Sequence, residues 1–322
     1  MPDLTIVIVS WNICADLREC LRSLQETSDG LSLDIWVVDN ASSDDTVKML
    51  HSEFPDVNVI ANSHNVGFAR ANNQVLAKCS SDYVLLLNPD TLVLRGTLTS
   101  CLEYMRTHPE LGILGCSLVY PDGVLQFESA RNLPSLSAMA LDAMYFHMVF
   151  PRSRVFGHTL MSYWDHRDSR SIPCISGAFM LVTGQFLTRV GLMDETYPMY
   201  MEDTDWCCRA HEADMEVFYL ASASVIHKSG RSVAQLRGGR RRVWLNAKSA
   251  ELYFRKHMGQ TAARMLRLIC LWQGVFRTCV SLTLWPIRDW LPGSMQRVAT
   301  PWLHYALIQW VFRCGIVDED CR

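Results

Sequence analysis

The sequence predicts an α/β protein with a doubly wound, mostly parallel sheet, followed by a C-terminal helical extension that associates with membranes. Three observations predict this architecture. Strand-like and helix-like segments alternate through the N-terminal part of the chain, and polar residues follow directly after those strands. From residue 230 onward the composition changes, with 15 Lys and Arg against 5 Asp and Glu and with six of the ten Trp residues.

Four apolar runs near the N-terminus have the length and the β-branched content of strands that are buried on both faces. They cover residues 4–10, 34–39, 57–61 and 82–87. Helical spacing or capping residues between these runs predict helices at 16–25, after 42–46, and at 68–79. Because a helix follows each of the first three strands, we expect the strands to lie parallel.

The middle of the chain is less regular. We expect helices at 97–107 and 200–212, and strands at 112–120, 175–182 and 216–226. The turn Pro121-Asp-Gly123 predicts a hairpin that continues into 124–127. Residues 133–163 are rich in Met and aromatic side chains and are predicted to form a mobile cover over a site. From residue 240 the chain is predicted to be helical, with breaks at Pro286, Pro292 and Pro301.

The composition limits the class and location of the protein. With 322 residues and a net charge of −3, the chain is long enough for one large α/β domain with an appendage, and it is neither collagen-like nor disordered. Its 12 Cys residues form no C-x-x-C pair, which indicates reduced thiols in a cytoplasmic protein. A strand that begins at Leu4 argues against a signal peptide. We expect no membrane-crossing helix, because no segment approaches ~18 uninterrupted apolar residues.

Two carboxylates end apolar strands. Asp39 follows the second strand, and Asp90 closes the Asn88-Pro-Asp segment after the fourth. The carboxyl ends of parallel strands meet at one edge of a sheet, where ligands bind. Mg²⁺ and Mn²⁺ need one or two protein carboxylates beside phosphate oxygens. The pair therefore favours a nucleotide site with a divalent cation, although a helix cap at Asp39 and a turn at Asp90 are open alternatives.

A second acidic group consists of Glu202, Asp203 and Asp205. Apolar neighbours surround it, which favours a general base over the alternative of a solvated helix start. His227 follows a predicted strand and has either a structural role or a place in an anion-binding stretch with Lys228–Arg231. The chain contains neither a G-x-G-x-x-G turn after its first strand nor a P-loop motif, which argues against a dinucleotide dehydrogenase and a P-loop NTPase.

Five ordered segments resemble the family 2 glycosyltransferases. They are Val-Ser-Trp-Asn at 9–12, Val-Val-Asp-Asn-Ala-Ser-Ser-Asp at 37–44, Asn-Val-Gly-Phe-Ala-Arg-Ala-Asn-Asn at 65–73, Leu-Asn-Pro-Asp-Thr at 87–91 and Met-Glu-Asp-Thr-Asp-Trp at 201–206. The similarity extends over about residues 4–258, and residues 249–257 also resemble the bacterial rhamnosyltransferase-like branch. The resemblance implies a GT-A fold and an inverting mechanism.

The resemblance implies roles for five residues on the donor side. Asp39 would read the base and ribose of the donor, with Asn12 and Arg70 lining the same pocket. Asp90 corresponds to the metal-binding last residue of the family's D-x-D motif. Asn88 stands at the first position of that motif, where it would hydrogen-bond ribose. The implied cofactor is a divalent cation, Mg²⁺ or Mn²⁺.

On the catalytic side, the resemblance implies that Asp203 is the base of a Glu-Asp motif in which Glu202 is the first residue. His227 corresponds to a position that joins the metal or the diphosphate in relatives. The expected reaction moves a sugar, with rhamnose as one candidate, from a nucleoside-diphosphate sugar to a glycan or polyprenyl-linked acceptor in cell-surface polysaccharide synthesis. We expect no nucleic-acid partner.

Two alternative functions remain open at this point. One is a catalytically inactive nucleotide-sugar-binding subunit, and the other is a sugar-nucleotide pyrophosphorylase, although the chain lacks the glycine-rich loop that such an enzyme needs. In the favoured interpretation, residues 1–95 form the nucleotide-sugar-binding half of one domain and residues 96–239 its acceptor and catalytic half. Residues 240–322 form the helical extension.

The extension carries the membrane prediction. On a helical wheel of residues 264–285, one half is polar and the other apolar. The polar half contains Arg264, Arg267, Gln273, Arg277, Thr278 and Ser281, and the apolar half contains Leu268, Ile269, Trp272, Val275, Phe276 and Val280. This pattern indicates an interfacial helix on an anionic membrane surface, peripheral on the inner face of the bacterial cytoplasmic membrane. The alternative is a helix packed on the catalytic domain.

Overall fold

A central sheet organises the first part of the molecule, which a computed structural model describes for residues 2–228, 239–290, 308, 309 and 311. The strands are β1 Leu4–Ser10, β2 Leu33–Asp39, β3 Asn58–Ala61, β4 Tyr83–Leu87, β5 Thr91–Val93, β6 Leu111–Val119, β7 Ala130–Arg131, β8 Arg170–Ser171, β9 Cys174–Ile175, β10 Phe179–Thr183 and β11 Glu216–His227. The strand order is β3-β2-β1-β4-β10-β6-β11-β5, with β8 beside β11.

Helices cover both faces of this sheet, as the sequence predicts for an α/β protein. They are α1 Cys14–Glu26, α2 Thr46–Glu53, α3 Phe68–Leu76, α4 Thr97–Thr107, α5 Leu136–Asp142, α6 Phe146–Val149, α7 Gly184–Val190, α8 Glu202–Glu212 and α9 Gly239–Leu284. Alternate strand residues point to opposite faces. Ile6 and Ile8 belong to one core cluster with α1, α2 and α4, whereas Val7 belongs to a second cluster with α3, α7 and α8. The doubly wound α/β class is therefore confirmed.

The direction of one strand differs from the expectation of a parallel series. Strands β3, β2, β1 and β4 are parallel, but β10 lies antiparallel between β4 and β6. Both kinds of strand are buried on both faces, so their apolar runs look alike in the sequence. The sheet is consequently mixed, with four parallel and four antiparallel pairings, and its two longest pairings, β1 with β2 and β6 with β11, are parallel.

Two local predictions are corrected. The expected strand at 175–182 is two strands, β9 and β10, and β9 pairs with β7 in a separate small sheet. The turn at Pro121–Gly123 forms, but only one antiparallel bridge, Val119 to Leu125, follows it, because the chain then enters a 3₁₀ turn at Phe127–Ser129. The ten cysteines in the described part of the chain are free thiols.

The chain divides into two compact units, residues 1–133 with 160–235, and residues 134–159 with 236–322. The second unit contains α5, α6 and α9, and α9 is interrupted at Gly259, whose φ of 85° is not helical. A 3₁₀ helix at Trp285–Trp290 includes Pro286. The predicted breaks at Pro292 and Pro301 lie outside the described residues. The division at residues 95 and 239 stays a prediction.

Part of the polar half of α9 faces the protein and not anionic lipid, although Arg264 of that half is exposed. Arg267 donates to the buried Glu251, Arg277 donates to the backbone carbonyl oxygens of Asp142 and Ala143, and Ser281 is fully buried. Leu268, Trp272 and Val275 are exposed. Arg267 and Arg277 therefore bind protein groups within the second unit, and the prediction that they face lipid is wrong for these two residues.

By length and composition, the helix Arg241–Ile287 is long and apolar enough to cross a membrane, and 17% of its apolar segment is buried within the protein. This differs from the expectation that no segment is apolar enough. The sequence argument required an uninterrupted apolar run, whereas a bilayer segment tolerates an isolated charge that has protein partners. Arg277 has such partners in the carbonyl groups of the second unit.

Candidate active site

Asp39 lies at the carboxyl end of β2 and is buried. Its Oδ2 accepts a hydrogen bond of 3.0 Å from the backbone N–H of Ser42. Its Oδ1 is also buried and has no hydrogen-bond partner among the described residues. A buried acceptor without a donor is costly unless a ligand supplies one. Asp39 therefore has the geometry of a residue that accepts an N–H or O–H from a bound molecule.

Asn12 contacts the same loop from the end of β1. Its backbone has a φ of 52°, its N–H donates to Ser42 Oγ at 2.8 Å, and its Oδ1 accepts from the Ser43 N–H at 2.6 Å. The structure thus brings Asn12 and Asp39 together around residues 42–43. Asn12 therefore stabilises the loop that donates to Asp39 Oδ2.

A second cluster joins the end of β4 to the end of β11. His227 Nε2 lies 3.4 Å from Asp90 Oδ1 and 3.5 Å from Asn88 Nδ2. Both Asp90 and His227 are largely buried, and the backbone N–H of Lys228 donates to the Asp90 carbonyl. A carboxylate oxygen and an imidazole nitrogen this close could both bind one divalent cation.

Asp203 lies in the first turn of α8 and accepts four hydrogen bonds. Its Oδ2 accepts from Arg131 at 2.6 Å and from the Gly177 N–H at 3.1 Å, and its Oδ1 accepts from the N–H and the hydroxyl of Thr204. Burial opposes the charge of Arg131, but the Asp203 carboxylate, together with Cys174 and Cys207, raises the pKa of the guanidinium above its ordinary value. The β7–β9 pairing places Arg131 beside Cys174 and thereby orients the ion pair.

Glu202 begins α8 and is buried, with an Oε2 that has no hydrogen-bond partner among the described residues. Burial, and then the negative charge of Asp203, raise the pKa of Glu202 well above its ordinary value. Tyr200 and Met201, immediately before the helix, both have a φ of 68°, a backbone conformation that residues other than glycine rarely adopt. Strained backbone of this kind is concentrated at functional sites.

Two predicted residues have protein partners elsewhere. Arg70 is exposed on α3, and its Nε donates to Glu195 Oε2 at 2.8 Å. Its donor-binding role stays a prediction. Lys228 pairs with Asp16 and Glu19 of α1, and its predicted anion-binding role stays a prediction. The rest of that stretch, residues 229–231, lies outside the described part of the chain.

Sequence reasoning missed three residues of these clusters. Arg131 and Gly177 hold Asp203, and Gln126 holds His227. Each is an isolated residue in an irregular segment, far from its partner in the chain. No motif or spacing in the sequence could have identified them.

Comparison with known proteins decides the family. Residues 5–179, more than half of the chain, match the family model described as glycosyl transferase family 2. The chain belongs to this family. It is therefore a glycosyltransferase, and neither a pyrophosphorylase nor a nucleotide-sugar-binding subunit without catalysis is supported.

Relatives and solved structures agree with this assignment. An N-acetylglucosaminyl-diphospho-decaprenol L-rhamnosyltransferase of Mycobacterium tuberculosis is 28% identical over 72% of this chain and 78% of its own length. A rhamnosyltransferase of Escherichia coli K12, WbbL, is 26% identical over 50% of this chain and 60% of its own. A mannosyltransferase from Pyrobaculum calidifontis, solved with GDP-mannose and Mn²⁺, superposes with a TM-score of 0.56 at 15% identity, covering 98% of this glycosyltransferase and 87% of that chain. The likeness to this solved structure shows that the fold is of the GT-A type.

Proposed function

We propose that this glycosyltransferase inverts the anomeric configuration as it moves a sugar, with rhamnose as the first candidate, from a nucleoside-diphosphate sugar to a glycan or polyprenyl-linked acceptor in cell-surface polysaccharide synthesis. The observation that carries the proposal is the Asp203 carboxylate, fixed by Arg131 and Gly177 in the same unit that holds Asp39, Asp90 and His227. The names of the two rhamnosyltransferases support the sugar, and that of the mycobacterial enzyme also supports a lipid-linked acceptor.

Asp203 is the proposed general base. It takes the proton of the acceptor hydroxyl while that oxygen bonds to the anomeric carbon and the bond from that carbon to the diphosphate oxygen breaks. Its four hydrogen bonds keep it oriented, and the 3.1 Å bond from the rotatable Thr204 hydroxyl is the one that an acceptor hydroxyl can replace. Glu202 is a poorer base, because its raised pKa favours the protonated form.

The donor base and ribose are proposed to bind at Asp39. The partnerless Oδ1 of this residue offers an acceptor for an N–H of the base, and Asn12 maintains the loop beside it. Such a bond is made to the substrate and the transition state alike, so its loss should affect donor affinity more than turnover. Asn88 and Arg70 are proposed to complete the donor side.

Substitution of Asp39 by alanine should raise the KM for the donor by about 10–100-fold and change kcat little, since a hydrogen bond to a charged group contributes about 1.5–3 kcal/mol. Steady-state kinetics with varied donor would measure both constants. Asp45→Ala is a matched control, because Asp45 is an exposed carboxylate in the same loop and makes no helix-capping bond. An unchanged donor KM in Asp39→Ala would contradict the assignment.

A divalent cation, Mg²⁺ or Mn²⁺, is the proposed cofactor, with Asp90 and His227 as the residues that would hold it. The donor set fits, since a carboxylate oxygen and an imidazole nitrogen lie 3.4 Å apart in a largely buried setting. When bound, the cation supplies positive charge beside the diphosphate leaving group. The Mn²⁺ in the solved mannosyltransferase supports the choice of ion.

Release of nucleoside diphosphate from a panel of donor sugars tests the proposed reaction. We expect release with one base and sugar class, stimulated by a glycan or polyprenyl-linked acceptor, and a product of inverted anomeric configuration by NMR. Asp203→Asn serves as the background control in every reaction. A product that retains the donor configuration would contradict the displacement mechanism, and a panel without any stimulated release would contradict the donor class.

We further propose that the second unit attaches the enzyme peripherally to the inner face of the cytoplasmic membrane. Leu268, Trp272 and Val275 lie on one exposed side of α9 and would enter the interfacial region of the bilayer. The first half of the same helix carries exposed basic residues, namely Arg241, Arg242, Lys248 and Arg255. Each would be attracted to anionic headgroups by about 1 kcal/mol. Apolar burial and charge thus act through different parts of α9.

The membrane proposal predicts that full-length protein floats with anionic liposomes and floats more weakly with neutral ones. Replacing Leu268, Trp272 and Val275 together by Gln should lower the partition coefficient with both lipids by more than about 10²-fold, because each apolar side chain contributes about 1.5–3 kcal/mol when buried. The control is Val124→Gln, at an exposed apolar site of the first unit. Equal flotation of the triple variant and the wild type would contradict attachment through this side of α9.

A further inference from the structure

One buried side chain, Gln126, holds His227 at two points. Gln126 Oε1 lies 2.9 Å from the ring atom Nδ1 of His227, and Gln126 Nε2 donates to the backbone carbonyl of His227 at 2.5 Å. Gln126 is itself fixed, because its backbone N–H donates to the Leu118 carbonyl at the end of β6. Its side chain is 3% exposed. The imidazole is therefore clamped by a rigid amide.

These two bonds determine which ring nitrogen carries the hydrogen. The carbonyl of His227 only accepts, so it must face the NH₂ group of Gln126, which leaves the amide oxygen facing Nδ1. An amide oxygen only accepts, so Nδ1 must be the protonated nitrogen of the neutral ring. If the oxygen and nitrogen of the Gln126 amide were exchanged, the amide oxygen would face the His227 carbonyl oxygen, and two acceptors would meet without a hydrogen between them. The pair of contacts is satisfied in one orientation.

The other ring nitrogen then carries a lone pair that points at the Asp90 cluster. Nε2 of His227 lies 3.4 Å from Asp90 Oδ1, and the Asn88 NH₂ group approaches it at 3.5 Å. A metal-binding histidine uses one nitrogen for the ion, and the hydrogen bond at its other nitrogen fixes the tautomer and the ring orientation. Gln126 occupies that second position here.

We propose that Gln126 is a positioning residue that presents Nε2 of His227 to the divalent cation and thereby sets the affinity of the cation site. The inference rests on the proposed cation site at Asp90 and His227. Gln126 acts through His227 and does not itself contact the ion. Loss of such a partner lowers metal affinity by about 10–100-fold in known sites.

A double-mutant cycle on the full-length protein tests the inference by Mn²⁺ affinity, measured by calorimetry and by electron paramagnetic resonance without donor sugar. Gln126→Leu should weaken Mn²⁺ binding by about 10–100-fold. In a His227→Ala background, the same change should have less than about a two-fold effect, because a residue that acts through His227 has nothing left to position. The control is Gln74→Leu, which removes another hydrogen-bonded amide of the first unit.

The outcomes separate the inference from the cation site itself. If His227→Ala weakens Mn²⁺ binding and Gln126→Leu does not, the positioning role is overturned while the site stands. If neither change has an effect, the cation site is wrong at His227 and the inference falls with it. An equal loss from Gln126→Leu in both backgrounds would show a general structural effect and would also overturn the role.

A spectroscopic measurement on the wild-type imidazole keeps the test independent of whether Gln126→Leu folds. In protein labelled with ¹⁵N-histidine and free of metal, the two ring nitrogens of His227 give distinct shifts for the protonated and the lone-pair forms, and His227→Ala identifies the signals by their disappearance. We expect hydrogen on Nδ1 at a pH where the ring is neutral. Hydrogen on Nε2 would overturn the inference.

Discussion

Replacement of Asp203 by asparagine should lower the kcat for sugar transfer by about 10²–10⁴-fold, the loss expected when a general base is removed. The amide keeps the size of the carboxylate and one acceptor oxygen, but it cannot take a proton from the acceptor hydroxyl. Asp203 binds Arg131, Gly177 and Thr204, none of which belongs to the proposed nucleotide pocket at Asp39. The affinity for nucleoside diphosphate should therefore change little, as calorimetry would show.

The ion pair with Arg131 complicates this experiment and determines its controls. Removing one partner of a buried pair costs about 3–5 kcal/mol of stability when the other charge is left alone. Thermal unfolding of Asp203→Asn should be followed by circular dichroism, and activity should be measured well below its midpoint. Glu212→Gln, the same chemical change at the other end of α8, provides the matched control. Folded Asp203→Asn protein that retains transfer within a few-fold of wild type would remove Asp203 from the role of base.

The position of the two strand-end carboxylates could be predicted because the topology of the sheet determines it. Parallel strands end at one edge, so Asp39 and Asp90 could be assigned to that edge from the apolar runs that precede them. The structure has both residues at strand ends, with Asp39 at the end of β2 and Asp90 after β4. The same reasoning could not find Arg131 or Gln126, because long-range contacts that involve single residues leave no periodic signal.

Strand direction was the part of the fold that the sequence did not determine. The segment Phe179–Thr183 is apolar throughout, as a central strand must be, and this holds whether the strand runs parallel or antiparallel to its neighbours. Its direction follows from the path of the chain between β9 and β10. That path depends on the small β7–β9 sheet, which consists of only two residues on each side and has no recognisable pattern.

The extension shows a related limit. A helical wheel tells which residues share a side, but not which side faces the protein. Arg267 and Arg277 face inward because Glu251 and two backbone carbonyls of α5 and its following turn satisfy them, and these partners are distant in the chain. Of the apolar half, Leu268, Trp272 and Val275 are exposed, and Ile269, Phe276 and Val280 are half-buried. The membrane hypothesis accordingly rests on apolar contact in this part of α9, with the exposed charges of its first half as a separate contribution.

Substitution of Asp90 by alanine should abolish the gain in nucleoside-diphosphate affinity that Mg²⁺ or Mn²⁺ provides. Loss of an outer partner of a metal ligand already costs about 10–100-fold in metal affinity, so loss of the carboxylate itself should cost at least as much. The substitution also removes the negative charge beside Nε2 of His227, at 3.4 Å, and leaves the imidazole as the remaining proposed ligand. For each protein, calorimetric titrations with nucleoside diphosphate in Mn²⁺ and in a chelator give the ratio of the nucleotide affinities with and without the ion.

The wild type should show a large ratio between the affinities with and without Mn²⁺, and Asp90→Ala a ratio near one. Asp82→Ala is the matched control, since Asp82 is an exposed carboxylate just before β4, at the opposite end of that strand from Asp90. Its ratio should equal that of the wild type. If Asp90→Ala retains the full metal-dependent gain, the ion is held elsewhere and the strand-end carboxylate has another role. If the wild type shows no gain at all, the nucleotide binds without the cation, and protein side chains alone must stabilise the diphosphate leaving group.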